Sequence, residues 1–199
     1  MRLAGVILAG GLATRMGGGD KALLPLGAAT LLDQVIARLQ PQVEAVVLNA
    51  NGDAARFARF GLPVVADSVA GFAGPLAGVL AGLDWAQAQG FDAVLSVAGD
   101  TPFFPQDLAA RLIAAREGQP IAMAAGPGEA RRARHPTFAL WDVSLADALR
   151  LALNEGTRKV VQFSDAAGCA TCVFDDGDDA FFNVNTPEDL ALAQVRVKG

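Results

Sequence analysis

The chain has 199 residues, 52% of them hydrophobic, and a formal net charge of −5. Its mean hydropathy of +0.34 excludes a disordered chain, and its pI near 4.8 argues against the basic surface of a nucleic-acid binder. Gly, Pro and charges interrupt every apolar run, and no basic stretch precedes a cleavable apolar one. A single domain over 1–199 is therefore expected, cytoplasmic and without a membrane span.

Residues 2–8 read as a buried strand that runs into Gly10-Gly11 and then a second glycine cluster, Gly17-Gly18-Gly19. Thr30 with Asp33 has capping-box spacing ahead of a helix over 31–39. A strand over 43–49, a helix near 53–60 and a strand over 62–66 follow. Pro75 opens a helix that runs to about Gln89, with Gly90 as its stop. The strand over 92–98 is almost wholly apolar, as expected where helices cover both faces. Pro105 opens the next helix, and strands are expected over 121–125 and 136–141, separated by a polar loop over 126–135. Helices near 144–154 and 157–166, a strand over 169–175 and a C-terminal helix from Thr186-Pro187-Glu188-Asp189 complete the chain. Such alternation predicts an α/β fold, three layers deep, with a mainly parallel central sheet. Ligands of such sheets sit at the carboxyl ends of the strands.

Several of those strand ends carry chemistry. After the first strand, glycines leave backbone N–H groups free to face an anion, while Arg15 and Lys21 supply cations. The spacing is neither a dinucleotide G-x-G-x-x-G nor a Walker loop. It suits a nucleoside triphosphate, with a solvated turn as the alternative. Asp100, after the 92–98 strand, is either a Mg²⁺ ligand beside phosphates or a turn aspartate ahead of Pro102. Asn183 and Asn185 share one face if extended, although a plain helix start also explains them. Asn49 and Asp67 follow strands, and Gly74 precedes a helix whose amides could meet an anion. His135 and the cluster of Arg131, Arg132 and Arg134 could bind phosphate, although a lone histidine is more often structural. Cys169 and Cys172 form a C-x-x-C, read as two ordinary thiols on opposite faces of a strand.

Taken together, LAGGLATRMGGGDK, the NAN at 49–51, GPLAG at 74–78, GDTPF at 99–103, HPTFAL at 135–140 and NVNTPEDL at 183–190 resemble the molybdenum cofactor guanylyltransferases, the MobA family. One departure is Leu-Ala-Thr between Gly11 and Arg15, where many relatives are more polar. The resemblance covers nearly the whole chain and implies a Rossmann-like nucleotidyltransferase fold. It implies that Leu8, Ala9, Gly10, Gly11, Lys21, Asn49, Asp67, Gly74, Gly78 and Asp100 bind GTP, with Asp100 on Mg²⁺. It makes Arg15, Lys21, Asp100, Asn183 and Asn185 the catalytic set. GMP would pass from GTP to the phosphate of molybdenum-bound molybdopterin, with molybdoenzyme chaperones or other cofactor-biosynthesis proteins as further partners. The competing expectations are a molybdopterin cytidylyltransferase, another nucleotidyltransferase, or a GTP-binding regulator without turnover.

Overall fold

The computed structural model describes residues 1–10, 20–69, 74–128, 133–175 and 180–198. Strand β1 (Leu3–Leu8) lies near the centre of a seven-stranded sheet. A small hairpin, β2 (Pro25–Leu26) and β3 (Ala29–Thr30), precedes α1 (Leu31–Leu39). The expected capping box is present: Asp33 N donates to Thr30 Oγ1, and Thr30 N donates to Asp33 Oδ2. Strand β4 (Ala45–Asn49) leads to a 3-10 helix over Ala54–Phe60, where sequence predicts a helix, and then to β5 (Val64–Val65).

Helix α2 (Pro75–Ala88) and strand β6 (Ala93–Ala98) follow. Next come α3 (Leu108–Ala115), β7 (Ile121–Ala125) and β8 (Arg134–Asp142). Helices α4 (Ala146–Asn154) and α5 (Val160–Ala167), strand β9 (Cys169–Val173) and helix α6 (Pro187–Lys198) end the chain.

The order across the main sheet is β5-β4-β1-β6-β8-β7-β9. Six strands run the same way, and β8 alone is antiparallel to its neighbours β6 and β7. The sheet is thus mainly parallel, as expected, with one reversal. Each face carries its own apolar core. On one side α1, α3 and Phe57 pack on Ile7, Leu48, Leu95 and Leu140. On the other, α2, α4 and α5 cover Val6, Val47, Val94 and Trp141. Every residue of β6 is buried because both faces are covered. Ser96, the polar residue of that strand, is satisfied there: it donates to Ala139 O at 3.2 Å and accepts from Trp141 Nε1 at 2.9 Å. A third, smaller cluster joins Leu26, Leu31, Val184 and Ala193, and so anchors the 183–185 segment beneath the hairpin and α6.

The parallel strands place Leu8, Asn49, Val65 and Ala98 at one rim. Because β8 runs backwards, its first residues reach the same rim, which brings Thr137 to it.

Candidate active site

A cleft of about 400 Å³ opens at that rim. Leu8, Gly10, Ala98, Asp100, Thr137 and Asn183 line one part of it. Asn49, Asn51, Asp67, Gly74 and Pro75 line the rest. Its volume falls within the ordinary range for small-molecule sites.

Behind Asp100 and Asn183, at the first part, sits an ammonium group. Lys21 is 8% exposed and opens a single 3-10 turn over Lys21–Leu23. Its Nζ donates to Asp100 Oδ2 at 2.6 Å, to Asn183 Oδ1 at 3.4 Å and to Asn185 Oδ1. Three donors meet three oxygens from segments remote in sequence. The asparagines meet there because Val184, between them, points the other way into the small core, and Val184 N donates to Asp100 O at 2.9 Å. Asp189 secures the end of the segment. Its Oδ2 accepts from the backbone N–H groups of Asn185 and Thr186, both at 2.9 Å, and these bonds hold its carboxyl below the usual range. Ala9, with Lys21 and Asp100, lines a small recess beside the ammonium.

The second part is an amide–carboxylate network. Asn49 Nδ2 donates to Asp67 Oδ1 at 3.0 Å and to Val65 O at 3.3 Å. Asn51 grips Asp67 at two points, donating from Nδ2 to Oδ2 at 2.8 Å and accepting Asp67 N–H on its Oδ1 at 2.9 Å. Gly74 stands at the start of α2 with φ +147°, a backbone region open mainly to glycine. Gly78, one turn on, is where α2 passes closest to Asn49: a Cβ there would lie 2.2 Å from Asn49 Oδ1.

Residues 5–168 match the MobA-like NTP transferase domain family. A Mesorhizobium japonicum protein named molybdenum cofactor guanylyltransferase is 52% identical over 197 residues, covering 96% of this chain and 94% of its own. A Bradyrhizobium protein of the same name is also 52% identical, covering 96% and 91%. The chain belongs to the MobA-like NTP transferase family, among the molybdenum cofactor guanylyltransferases. This MobA-like chain is accordingly a nucleotidyltransferase enzyme. In fold it is similar to molybdopterin-guanine dinucleotide biosynthesis protein A from Archaeoglobus fulgidus, with a TM-score of 0.79, 22% identity and 98% of each chain covered. It is similar too to 2-C-methyl-D-erythritol 4-phosphate cytidylyltransferase from Thermus thermophilus, with a TM-score of 0.74, 21% identity and both chains fully covered.

Of the residues expected from the sequence, Asp100 and Asn183 line one end of the MobA-like cleft, with Lys21 and Asn185 bonded behind them, and Asn49, Asp67 and Gly74 line the other. Arg15, Gly11, Arg131 and Arg132 lie outside the described residues. Arg134 is 9% exposed in its side chain and is paired with Asp165 on α5 at 2.6 Å. His135 stacks on Phe181 with ring centroids 4.2 Å apart, and burial pushes its pKa below the ordinary value. Cleft residues that sequence reasoning did not assign are Asn51 and Thr137. Both carried a signal, Asn51 as the second asparagine of the NAN motif and Thr137 as part of HPTFAL.

Among the described residues no three His, Cys, Asp or Glu side chains cluster as a metal site. The donors around Lys21 are nonetheless hard oxygens: one carboxylate and two amide carbonyls. Mg²⁺ binds through one or two carboxylates together with substrate phosphates and water, so this set fits that ion as part of a nucleotide complex.

Cys172 packs toward one core and Cys169 toward the other. Burial, with a smaller contribution from Asp165 and opposed by Arg134, pushes the Cys169 thiol up to about 11. Only about one Cys169 thiol in a thousand would be ionised at pH 8, and the thiolate is the reactive form. Native protein treated with iodoacetamide at pH 8 is expected to label Cys169 far more slowly than urea-unfolded protein, and Cys169→Ser to keep nucleotide turnover within about twofold. Rapid native labelling, followed by mass spectrometry, would contradict this reading.

Proposed function

We propose that the protein transfers GMP from GTP to the terminal phosphate of molybdopterin, releasing pyrophosphate and forming molybdopterin guanine dinucleotide. The observation that carries this reading is a single cleft with Asp100 and Asn183 at one end, backed by the Lys21 ammonium, and a base-sized amide–carboxylate end at Asp67. The names of relatives at 52% identity support the choice of substrates.

Asp67 supplies the base selectivity. A carboxylate only accepts, and its two oxygens offer about four lone-pair sites. Asn49 and Asn51 use one on each oxygen, and the remainder can receive the N1–H and N2–H groups of guanine. Cytosine, which pairs a donor with an acceptor on that edge, satisfies only half of them. Leu8 and Pro75 give the base apolar walls.

The acceptor is a phosphate monoester, with a second pKa of about 6, so it is largely ionised at pH 7. One of its oxygens attacks the α-phosphorus of GTP, the bond from that phosphorus to the bridging oxygen breaks, and the electron pair leaves with pyrophosphate. No proton has to be removed from the nucleophile, which agrees with a site that presents no histidine base. Catalysis then consists of alignment and charge neutralisation. Lys21, joined by Arg15, holds the departing phosphates. Asn183 and Asn185 hold Lys21 in place and face the incoming phosphate. Asp100 would hold Mg²⁺ together with nucleotide phosphates and water, and the bound ion would neutralise charge at those phosphates. Residence in the cytoplasm belongs to the same proposal.

The test is a panel of α-labelled GTP, CTP and ATP supplied with molybdopterin and Mg²⁺, following label transfer and pyrophosphate. GTP is expected to be preferred by at least about a hundredfold, the discrimination typical of sites that hydrogen-bond a polar edge. Faster transfer from CTP, or tight GTP binding without pyrophosphate release, would overturn the proposal.

A further inference from the structure

Asp20 breaks a local rule. It sits at the N-cap of the Lys21–Leu23 turn with an extended backbone, yet its side chain makes no capping hydrogen bond. Aspartate at that position ordinarily accepts from a backbone N–H two or three residues on. Here Oδ2 instead receives Arg56 Nε at 2.6 Å. The same guanidinium donates from Nη2 to the main-chain carbonyl of Asn51 at 2.6 Å and from Nη1 to that of Asp53. It lies 4.6 Å above the ring of Phe57, which is wholly buried. Asn51 is the residue that grips Asp67 at two points. One side chain thus spans from the neighbour of Lys21 to the turn that aims Asp67.

We propose that Arg56 is a positioning residue that couples the phosphate end of the cleft, at Lys21, to its base end, at Asn51 and Asp67. The inference rests on the reading of Lys21 as a phosphate ligand and Asp67 as the guanine ligand. Two physical points support it. Asp20 leaves its own cap unmade to hold the guanidinium, so its position serves the placement of Arg56. A guanidinium also presents its donors in a rigid planar fork, which can serve three fixed acceptors at once, whereas an ammonium is a single point charge. Phosphate and base must be held in one register for in-line attack, and displacement of about 1 Å costs on the order of a hundredfold in rate.

The experiment uses the full chain and compares GTP with inosine triphosphate, which lacks the exocyclic amino group of guanine. Arg56→Lys keeps the charge and loses the fork. It is expected to leave the melting temperature nearly unchanged, to lower kcat/KM for GTP about tenfold or more, and to reduce the GTP-to-inosine preference. Asp20→Asn, remote from the base, is expected to reduce the same preference and to add nothing further in the Arg56→Lys background. Asp67→Asn is measured alongside. If Asp67→Asn lowers the preference while Arg56→Lys and Asp20→Asn do not, or if their effects simply add, Arg56 does not couple the two ends and the guanine reading stands. If Asp67→Asn itself leaves the preference intact, the guanine reading fails and takes this inference with it. Should Arg56→Lys fail to fold, Asp20→Asn alone decides, through its effect on base preference.

Discussion

Asp100→Ala is expected to slow pyrophosphate release from GTP about a thousandfold, a rise in barrier on the order of 4 kcal/mol. Asp100 serves both as the carboxylate on Lys21 among the described residues and as the proposed holder of Mg²⁺. Lys21 keeps the amide oxygens of Asn183 and Asn185 in the variant, but its charge loses its partner. With side-chain exposures of 10% and 21%, the pair is sheltered enough that breaking it also costs about 3 kcal/mol of stability. Activity is therefore compared at a temperature where a melting curve shows the variant folded. Asp100→Asn separates the two losses. It preserves an acceptor for Lys21 and the shape of the side chain, yet removes the negative charge that Mg²⁺ requires. Its turnover is expected to fall nearly as far as that of Asp100→Ala, with a steeper dependence on Mg²⁺ concentration. Turnover of Asp100→Ala within about tenfold of the parent at saturating Mg²⁺ would show that Asp100 does not have this role.

Gly78→Ala is the second large effect. The new methyl would sit 2.2 Å from Asn49 Oδ1, 2.9 Å from Asn49 Cγ and 2.8 Å from Leu8 Cδ2. Asn49 is 5% exposed and cannot swing into solvent without dropping its bonds to Val65 O and Asp67 Oδ1. Alanine in a helix interior gains about 1 kcal/mol over glycine, whereas overpacking costs about 1–3 kcal/mol. The net loss of stability is therefore modest, on the order of 1 kcal/mol. The functional effect is larger because the strain falls on the residue that orients Asp67. The KM for GTP is expected to rise at least about tenfold, with kcat changed much less, since Lys21 and Asp100 lie on other elements. An unchanged KM in steady-state kinetics would mean that Asn49 has no part in binding the nucleotide.

The sequence is most informative where a strong element ends in a polar residue. The apolar runs of β1 and β6 and the Pro75 start of α2 announce themselves, and Lys21, Asp100 and Gly74 follow from their positions beside them. Asn183 and Asn185 come together as alternation about Val184 suggests. The reversal of β8 is not visible in hydrophobic period, which is blind to strand direction. It is visible in loop length, because β7 ends at 125 and β8 begins at 134, too short a gap for a parallel crossover. The hairpin of β2 and β3 escapes because two-residue strands are too short to show alternation, although Gly27 at φ +64° marks its turn. The helix expected near 53–60 has 3-10 geometry, capped by Asp53 through Ala55 N and ended by Gly61 at φ +63°. The partnership of Arg56 with Asp20 joins positions 36 residues apart, and no local pattern encodes such a pairing. Asn51 is half legible, since its motif is visible but its two-point grip on Asp67 depends on how β4 and β5 end side by side.

The central claim is that one cleft holds the whole nucleotide, phosphates at Lys21 and Asp100, guanine at Asn51 and Asp67. A crystal structure of the protein with GTP and Mg²⁺ tests it most directly. The account requires the ion on Asp100, the phosphates within hydrogen-bond reach of Lys21, and the guanine N1–H and N2–H groups on the Asp67 carboxylate. A nucleotide bound elsewhere on the molecule, or lying in the cleft with its base at Lys21 and its phosphates at Asp67, would contradict it.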